Sequence, residues 1–200
     1  MNQNILIILN VPDFPFGFAF SHQILSISQI IFSNKGEVLI LNNSIPKKKF
    51  TEKIRDLNCE FNGVCFKYTA GLYESDLSKL RIIIFRIIGF FKELGLILKS
   101  KNRNAKSCIM ISFVSFVLFL YYRILSWLSG YKLIISIMEY HRAISVRNPL
   151  KKLSFFLFDS LALKMADGII AISPNLYEYA KRKAPSKKII LIPNCQENLR

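Results

Sequence analysis

The feature that most restricts this chain is a series of short, nearly continuous apolar runs rich in branched residues. Ile5–Leu9, Val38–Leu41, Leu133–Met138, Ile169–Ile172 and Ile189–Ile192 are such runs. A strand with one wetted face alternates polar and apolar residues. A run that is apolar at nearly every position is buried on both faces, as in a parallel sheet covered by helices. The intervening segments carry helical spacing. From Gly17 to Asn34 the apolar positions are Phe20, Ile24, Ile27 and Ile31, with Gly36 as a stop, so the first forty residues predict a strand–helix–strand unit. Further strands are expected at Gly63–Tyr68 and Cys108–Ser112, and helices at Asp76–Lys101, Val114–Ser129 (ended by Gly130) and Leu150–Met165. Asp167-Gly168 makes a turn, Ser173 caps a helix with Pro174 in its first turn, and Glu178 and Arg182 share that helix's outer face. The alternation predicts an α/β fold: a Rossmann-like, doubly wound, mostly parallel sheet with helices on both faces, over residues 1–192.

Composition narrows the class of partner. Hydrophobic residues make up 52% of the 200, which excludes a disordered chain. The net charge is nevertheless +15. A chain both basic and apolar points to an anionic partner, a membrane surface or a phosphate-bearing ligand, ahead of nucleic acid. Basic clusters at Lys47–Lys49, Lys99–Lys106 and Lys181–Lys188 come with no nucleic-acid motif and read as solvated charge runs. The four cysteines have no C-x-x-C spacing, and only His22 and His141 accompany them, so no Cys/His metal cluster is expected. Scattered thiols and no secretory signal pattern at the first residues are the features of a cytoplasmic chain. Cys108–Tyr122 lacks charge, but Arg123 interrupts it, and it divides into a strand and a core helix rather than a membrane span. The sequon Asn42-Asn43-Ser44 carries no function in that setting.

No P-loop, nucleophile elbow, dinucleotide fingerprint or H-E-x-x-H is present. Three other segments are informative in order and spacing. The first runs from Ile5–Leu9 through a loop reaching Gly17, then a helix to Gly36 and the strand Val38–Leu41. The second is Lys132-Leu-Ile-Ile-Ser-Ile-Met-Glu-Tyr-His141. The third is Ala166-Asp-Gly-Ile-Ile-Ala-Ile-Ser-Pro-Asn-Leu176 followed by Lys188-Ile-Ile-Leu-Ile-Pro-Asn194. Together they resemble the N-terminal domain of a family 4 glycosyltransferase, an enzyme of two facing Rossmann-like halves (the GT-B arrangement). Where that family usually follows the Pro-Asn pair with glycine, Cys195 stands here.

The resemblance implies a glycosyltransferase domain on the acceptor side. It implies a nucleotide-sugar donor, a saccharide or lipid-linked acceptor, a role in cell-surface polysaccharide or glycolipid synthesis, and no metal or other cofactor. Residues 193–200 would begin the interdomain linker, with the donor-binding domain absent from this chain: either the chain is a truncated or split form, or a separate polypeptide supplies the donor half. The alternative is a truncated, non-catalytic domain serving as a binding subunit for such a donor-binding protein.

Gly17, with Phe18 beside it, follows the first strand, where the resemblance implies a loop that approaches the donor diphosphate through helix N-terminal amides; the alternative is an ordinary glycine easing a tight turn. Glu139, Tyr140, His141 and Arg142 lie just past the carboxyl end of a buried strand, where open α/β sheets place ligands. Glu139 and His141 are the candidate catalytic residues, with Tyr140 and Arg142 binding substrate. A Glu139–Arg142 surface pair beside a solvated histidine is the plain alternative. His22 reads as a polar residue on an exposed helix face, and Asp167 and Ser173 as structural.

The helix over about Leu77–Lys101 interleaves Phe85, Ile88, Phe91 and Leu94 with Arg81, Arg86, Lys92 and Lys99. Its apolar positions are assigned to the core with a solvated basic edge. The whole-chain charge adds peripheral contact with an anionic membrane, at the inner face of the cell membrane.

Overall fold

A computed structural model describes residues 3–11, 14–16, 19–34, 36–45, 58–61, 63–71, 78–100, 106–112, 115–139 and 148–193. It divides into two compact units, Met1–Ser107 and Cys108–Arg200. The α/β, mostly parallel class expected from the apolar runs is the one observed.

In the first unit, β1 (Gln3–Leu9) pairs in parallel with β2 (Glu37–Asn42), and β2 with β4 (Val64–Tyr68). Between β1 and β2 runs α1 (Ala19–Ser33), which buries Ile24 and Ile27 as the helical spacing predicts. The Gly36 amide donates to the Ile31 carbonyl at 3.0 Å, closing the helix where the glycine was expected to stop it. One strand was not anticipated. β3 (Asn58–Phe61) pairs antiparallel with β4 through a turn at Gly63, whose φ of 79° suits a residue without Cβ. The order in this unit is β3-β4-β2-β1.

α2 (Lys79–Lys99) is capped by Ser78, whose hydroxyl accepts from the Arg81 amide. Its orientation corrects the sequence expectation. Ile88 and Phe91, assigned above to the core, are exposed, and Phe85 and Leu94 are only half-buried. The buried side instead carries Gly89, Glu93 and Ile97, spaced by four. The reason is local: the helix lies against Asn43 and Thr69, so that side needs a small residue and a hydrogen-bonding partner rather than bulky apolar groups. The Asn43 amide donates to the Arg86 carbonyl at 3.3 Å, and the Thr69 hydroxyl donates to Glu93 at 2.9 Å.

In the second unit, β5 (Lys106–Ile111), β6 (Lys132–Ile137), β7 (Gly168–Ala171) and β8 (Lys188–Leu191) pair in parallel in that order. α3 (Phe116–Ser129) buries Phe119, Tyr122 and Leu125 and ends on Gly130 in the left-handed conformation, φ 74°. Its outer face carries Trp127, 77% exposed. The helix expected over Leu150–Met165 is α4 (Pro149–Leu157) followed by a π-turn at Phe158–Ala162 and a last helical turn, Leu163–Met165. Asn148 caps α4, accepting from the Leu150 amide at 2.9 Å. α5 (Pro174–Lys183) starts at Ser173, whose hydroxyl accepts from Leu176, as the Ser-Pro pair predicts. β8 departs from a strand buried on both faces, because Ile190 and Leu191 are exposed at the outer end of the order. Among the described residues no helix is long and apolar enough to cross a membrane.

Candidate functional site

Open parallel sheets leave their ligand-facing groups at the carboxyl ends of the strands. In the first unit those ends are held by a buried polar network. Asn42, the last residue of β2, is fully buried, and its side chain pairs twice with Val11 just beyond β1. The Val11 amide donates to Asn42 Oδ1 at 3.1 Å, and Asn42 Nδ2 donates to the Val11 carbonyl at 2.7 Å. A side-chain amide thus supplies one more rung where the backbone ladder stops. Ser44 Oγ donates to the same Oδ1 at 2.8 Å, and the Thr69 amide donates to the Asn42 carbonyl at 3.0 Å. Pairing of this kind offsets the cost of burying polar groups.

The same network fixes the start of the β1–α1 connection. Phe14 is fully buried with its ring edge-on to Phe66 at 5.4 Å, and its carbonyl accepts from the Tyr68 hydroxyl. Gly17 and Phe18, the candidate binding residues of this connection, lie outside the described residues. His22 is exposed on α1, as read from the sequence. Asn42 cannot serve as a glycan acceptor in the folded chain, since its amide is enclosed and bonded on both sides.

In the second unit Glu139 stands two residues past β6, exposed, at the carboxyl end where the sequence placed it. Tyr140, His141 and Arg142 lie outside the described residues. Of the six candidate site residues, Glu139 alone falls among the described residues.

β6 is anchored at its other end by Asp167. Asp167 Oδ2 accepts from the Leu133 amide at 2.8 Å and from Arg123 Nη1 at 2.7 Å, and the Asp167 amide donates to the Leu133 carbonyl at 2.8 Å. Partial burial pushes this carboxyl up. The Leu133 amide, the Arg123 guanidinium and the Lys132 charge outweigh that and hold it below the usual carboxylate range. Asp167 is structural, as expected, but as a strand anchor rather than a turn former. Cys108, at the start of the β5–β6 pairing, has its thiol pushed up to about 11 by burial. Among the described residues no three His, Cys, Asp or Glu side chains are grouped to hold a metal ion.

Sequence reasoning passed over Asn42, Ser44, Thr69 and Glu93. One signal was available: a polar Asn-Asn-Ser run directly ending a buried strand, where each side chain must find a partner.

No family model matches the chain, and no curated protein matches it. Among solved structures, UGT2 of Phytolacca americana is similar in fold. Its complex with UDP-2-fluoro-glucose and pterostilbene aligns with a TM-score of 0.60 over 98% of this chain and 55% of that one, at 10% identity. Its apo form aligns with a TM-score of 0.56 over 98% and 53%, at 12% identity. The chain spans about half the length of these structures, and the likeness is one of fold: the Rossmann-like half of a GT-B arrangement.

Proposed function

We propose that the chain is the acceptor-side half of a GT-B glycosyltransferase, similar to family 4, acting with a nucleotide-sugar donor on a saccharide or lipid-linked acceptor. The observation that carries the reading is the alignment of nearly the whole chain with about half of a protein solved with UDP-2-fluoro-glucose. The three sequence segments described above support it independently.

In this reading a donor-binding half faces the carboxyl edges of the strands and completes the site. Glu139 and His141, on the segment leaving β6, orient the reacting sugar hydroxyls, and Tyr140 and Arg142 hold the acceptor. The loop with Gly17 and Phe18 lies towards the donor diphosphate. Rate enhancement comes from positioning and from stabilising the leaving diphosphate, so the transfer needs no catalytic metal. The work takes place at the inner face of the cell membrane, in polysaccharide or glycolipid assembly.

The test is transfer from a radiolabelled nucleotide sugar with and without a donor-binding half. Product should require both halves, and Glu139→Ala or His141→Ala should lower turnover about a hundredfold, the scale of a misplaced reacting group. Efficient transfer by this chain alone, or full activity in both variants, would contradict the proposal. A non-catalytic binding subunit is the second reading. It is favoured by the exposed Val117, Trp127 and Leu150 on the second unit's helices, an apolar surface fit for a partner protein. Recovery of a tight, inactive complex with a donor-binding protein would select it.

A further inference from the structure

The outward face of α2 is apolar. Leu80, Ile84, Ile87, Phe91 and Leu98 are exposed, spaced by four, three, four and seven, which places them along one side of the helix. Phe91 is 68% exposed. The ridge beside this stripe is cationic, with Arg81, Lys92 and Lys99 all exposed. The helix contains one carboxylate, Glu93, and that is fully buried against Thr69. No negative charge of α2 therefore faces outward.

Next to the cationic ridge the first unit opens into a cavity of about 540 Å³. It is lined by Lys67, Tyr68 and Thr69 of the β4 segment and by Lys92, Gly95, Leu96 and Lys99 of α2. Three lysines thus line a mostly apolar recess whose walls also include Leu96 and the bare backbone of Gly95. That chemistry fits an anion carried on an apolar body. Gly95 and Lys92 also flank the exposed stripe, so recess and stripe are continuous on the helix surface.

We infer that this recess is a headgroup site for an anionic phospholipid, and that the α2 stripe lies at the boundary between headgroups and acyl chains. The inference rests on the membrane-face part of the proposed function and names the surface responsible. Lysine favours this occupant over a protein partner. Protein interfaces exclude lysine from their cores, whereas at a bilayer the lysine stem lies along apolar surface and its ammonium reaches the phosphates. The net charge of +15 works in the same direction.

The experiment is flotation of the full chain with vesicles of phosphatidylcholine alone and of phosphatidylcholine mixed with phosphatidylglycerol, across a salt series. The chain should prefer the anionic vesicles and lose that preference as salt rises. Lys92→Gln with Lys99→Gln should weaken partitioning about 25-fold, about fivefold per lysine. Lys181→Gln with Lys183→Gln, on α5, should change it less than about threefold. Phe91→Ser should weaken partitioning about tenfold without abolishing the preference for negative charge. Circular dichroism of each variant confirms that it is folded.

Equal partitioning of the Lys92/Lys99 variant and wild type would overturn the inference, as would an equal loss in the α5 control. Calorimetric binding of inorganic phosphate, lost in the Lys92/Lys99 variant and unaccompanied by vesicle binding, would reassign the recess to a soluble phosphate compound. Self-association abolished by Phe91→Ser, with no vesicle binding, would reassign the stripe to a second copy. No nucleotide sugar enters the assay, so its failure leaves the acceptor-half reading standing, and failure of sugar transfer leaves the lipid site standing.

Discussion

Two glycines of α2 should respond to alanine with opposite signs. In a free helix each change would stabilise by up to about 1 kcal/mol, since glycine carries the larger entropic cost of being ordered. Gly95 has nothing within 4 Å of an added Cβ, so Gly95→Ala should realise most of that gain. At Gly89 the added carbon would overlap the Asn43 side-chain oxygen, and would lie 3.0 Å from Asn43 Cγ and 3.1 Å from the Ala70 amide nitrogen. Asn43 is buried and donates to the Arg86 carbonyl, and the Ala70 nitrogen is backbone, so neither neighbour can swing aside freely. Overpacking of this kind costs about 1–3 kcal/mol, and losing the Asn43 bond adds about 1 kcal/mol. After the propensity gain, Gly89→Ala should destabilise by about 1–3 kcal/mol, separating the two variants by about 2–4 kcal/mol. Urea titration followed by far-ultraviolet circular dichroism reads both, with an unchanged slope showing that the change lies in native stability. A Gly89→Ala variant as stable as wild type would refute the placement of α2 against Asn43.

Asp167→Asn should cost about 1 kcal/mol at neutral pH, because the amide can still accept from Leu133 but no longer attracts Arg123; partial exposure of the pair keeps the figure small. The folded carboxyl is depressed, so its contribution is present above the unfolded value of about 4 and is lost as pH falls through the lower folded value. Urea midpoints of the two proteins should therefore converge in acid, and a gap that stays constant down to the acid limit would contradict the network. Mass-spectrometric mapping of alkylation should find exposed Cys65 modified by iodoacetamide at mildly alkaline pH. Half-buried Cys108, with its thiol pushed up to about 11, should react much more slowly there, and modification of Cys108 as fast as that of Cys65 in the folded chain would contradict its placement.

The central parallel strands β1 and β6 were legible because both of their faces are covered, and few other structures require Ile5–Leu9 or Leu133–Ile137 to read so nearly apolar throughout. β3 was not, because Asn58-Cys-Glu-Phe61 is short and half polar, and its pairing depends on β4 across a glycine turn. α2 was found but turned the wrong way. Its apolar residues surround nearly the whole helix, so periodicity could not select a face; a polar contact did, through Thr69 and Glu93. The same limit applies to Asn42. Its partner Val11 lies 31 positions earlier, and only the β1–β2 register brings them together. Glu139 was placed correctly because a strand end is a topological position that an apolar run already marks.

Trp127 is the sole tryptophan, and it points away from the hydrophobic interior on the outer side of α3. Indole fluorescence will thus be nearly blind to unfolding, since its solvent surroundings hardly differ between native and denatured chains. It becomes instead a built-in reporter of whatever settles on that helix: a blue-shifted, quencher-protected emission would register contact there without any added dye.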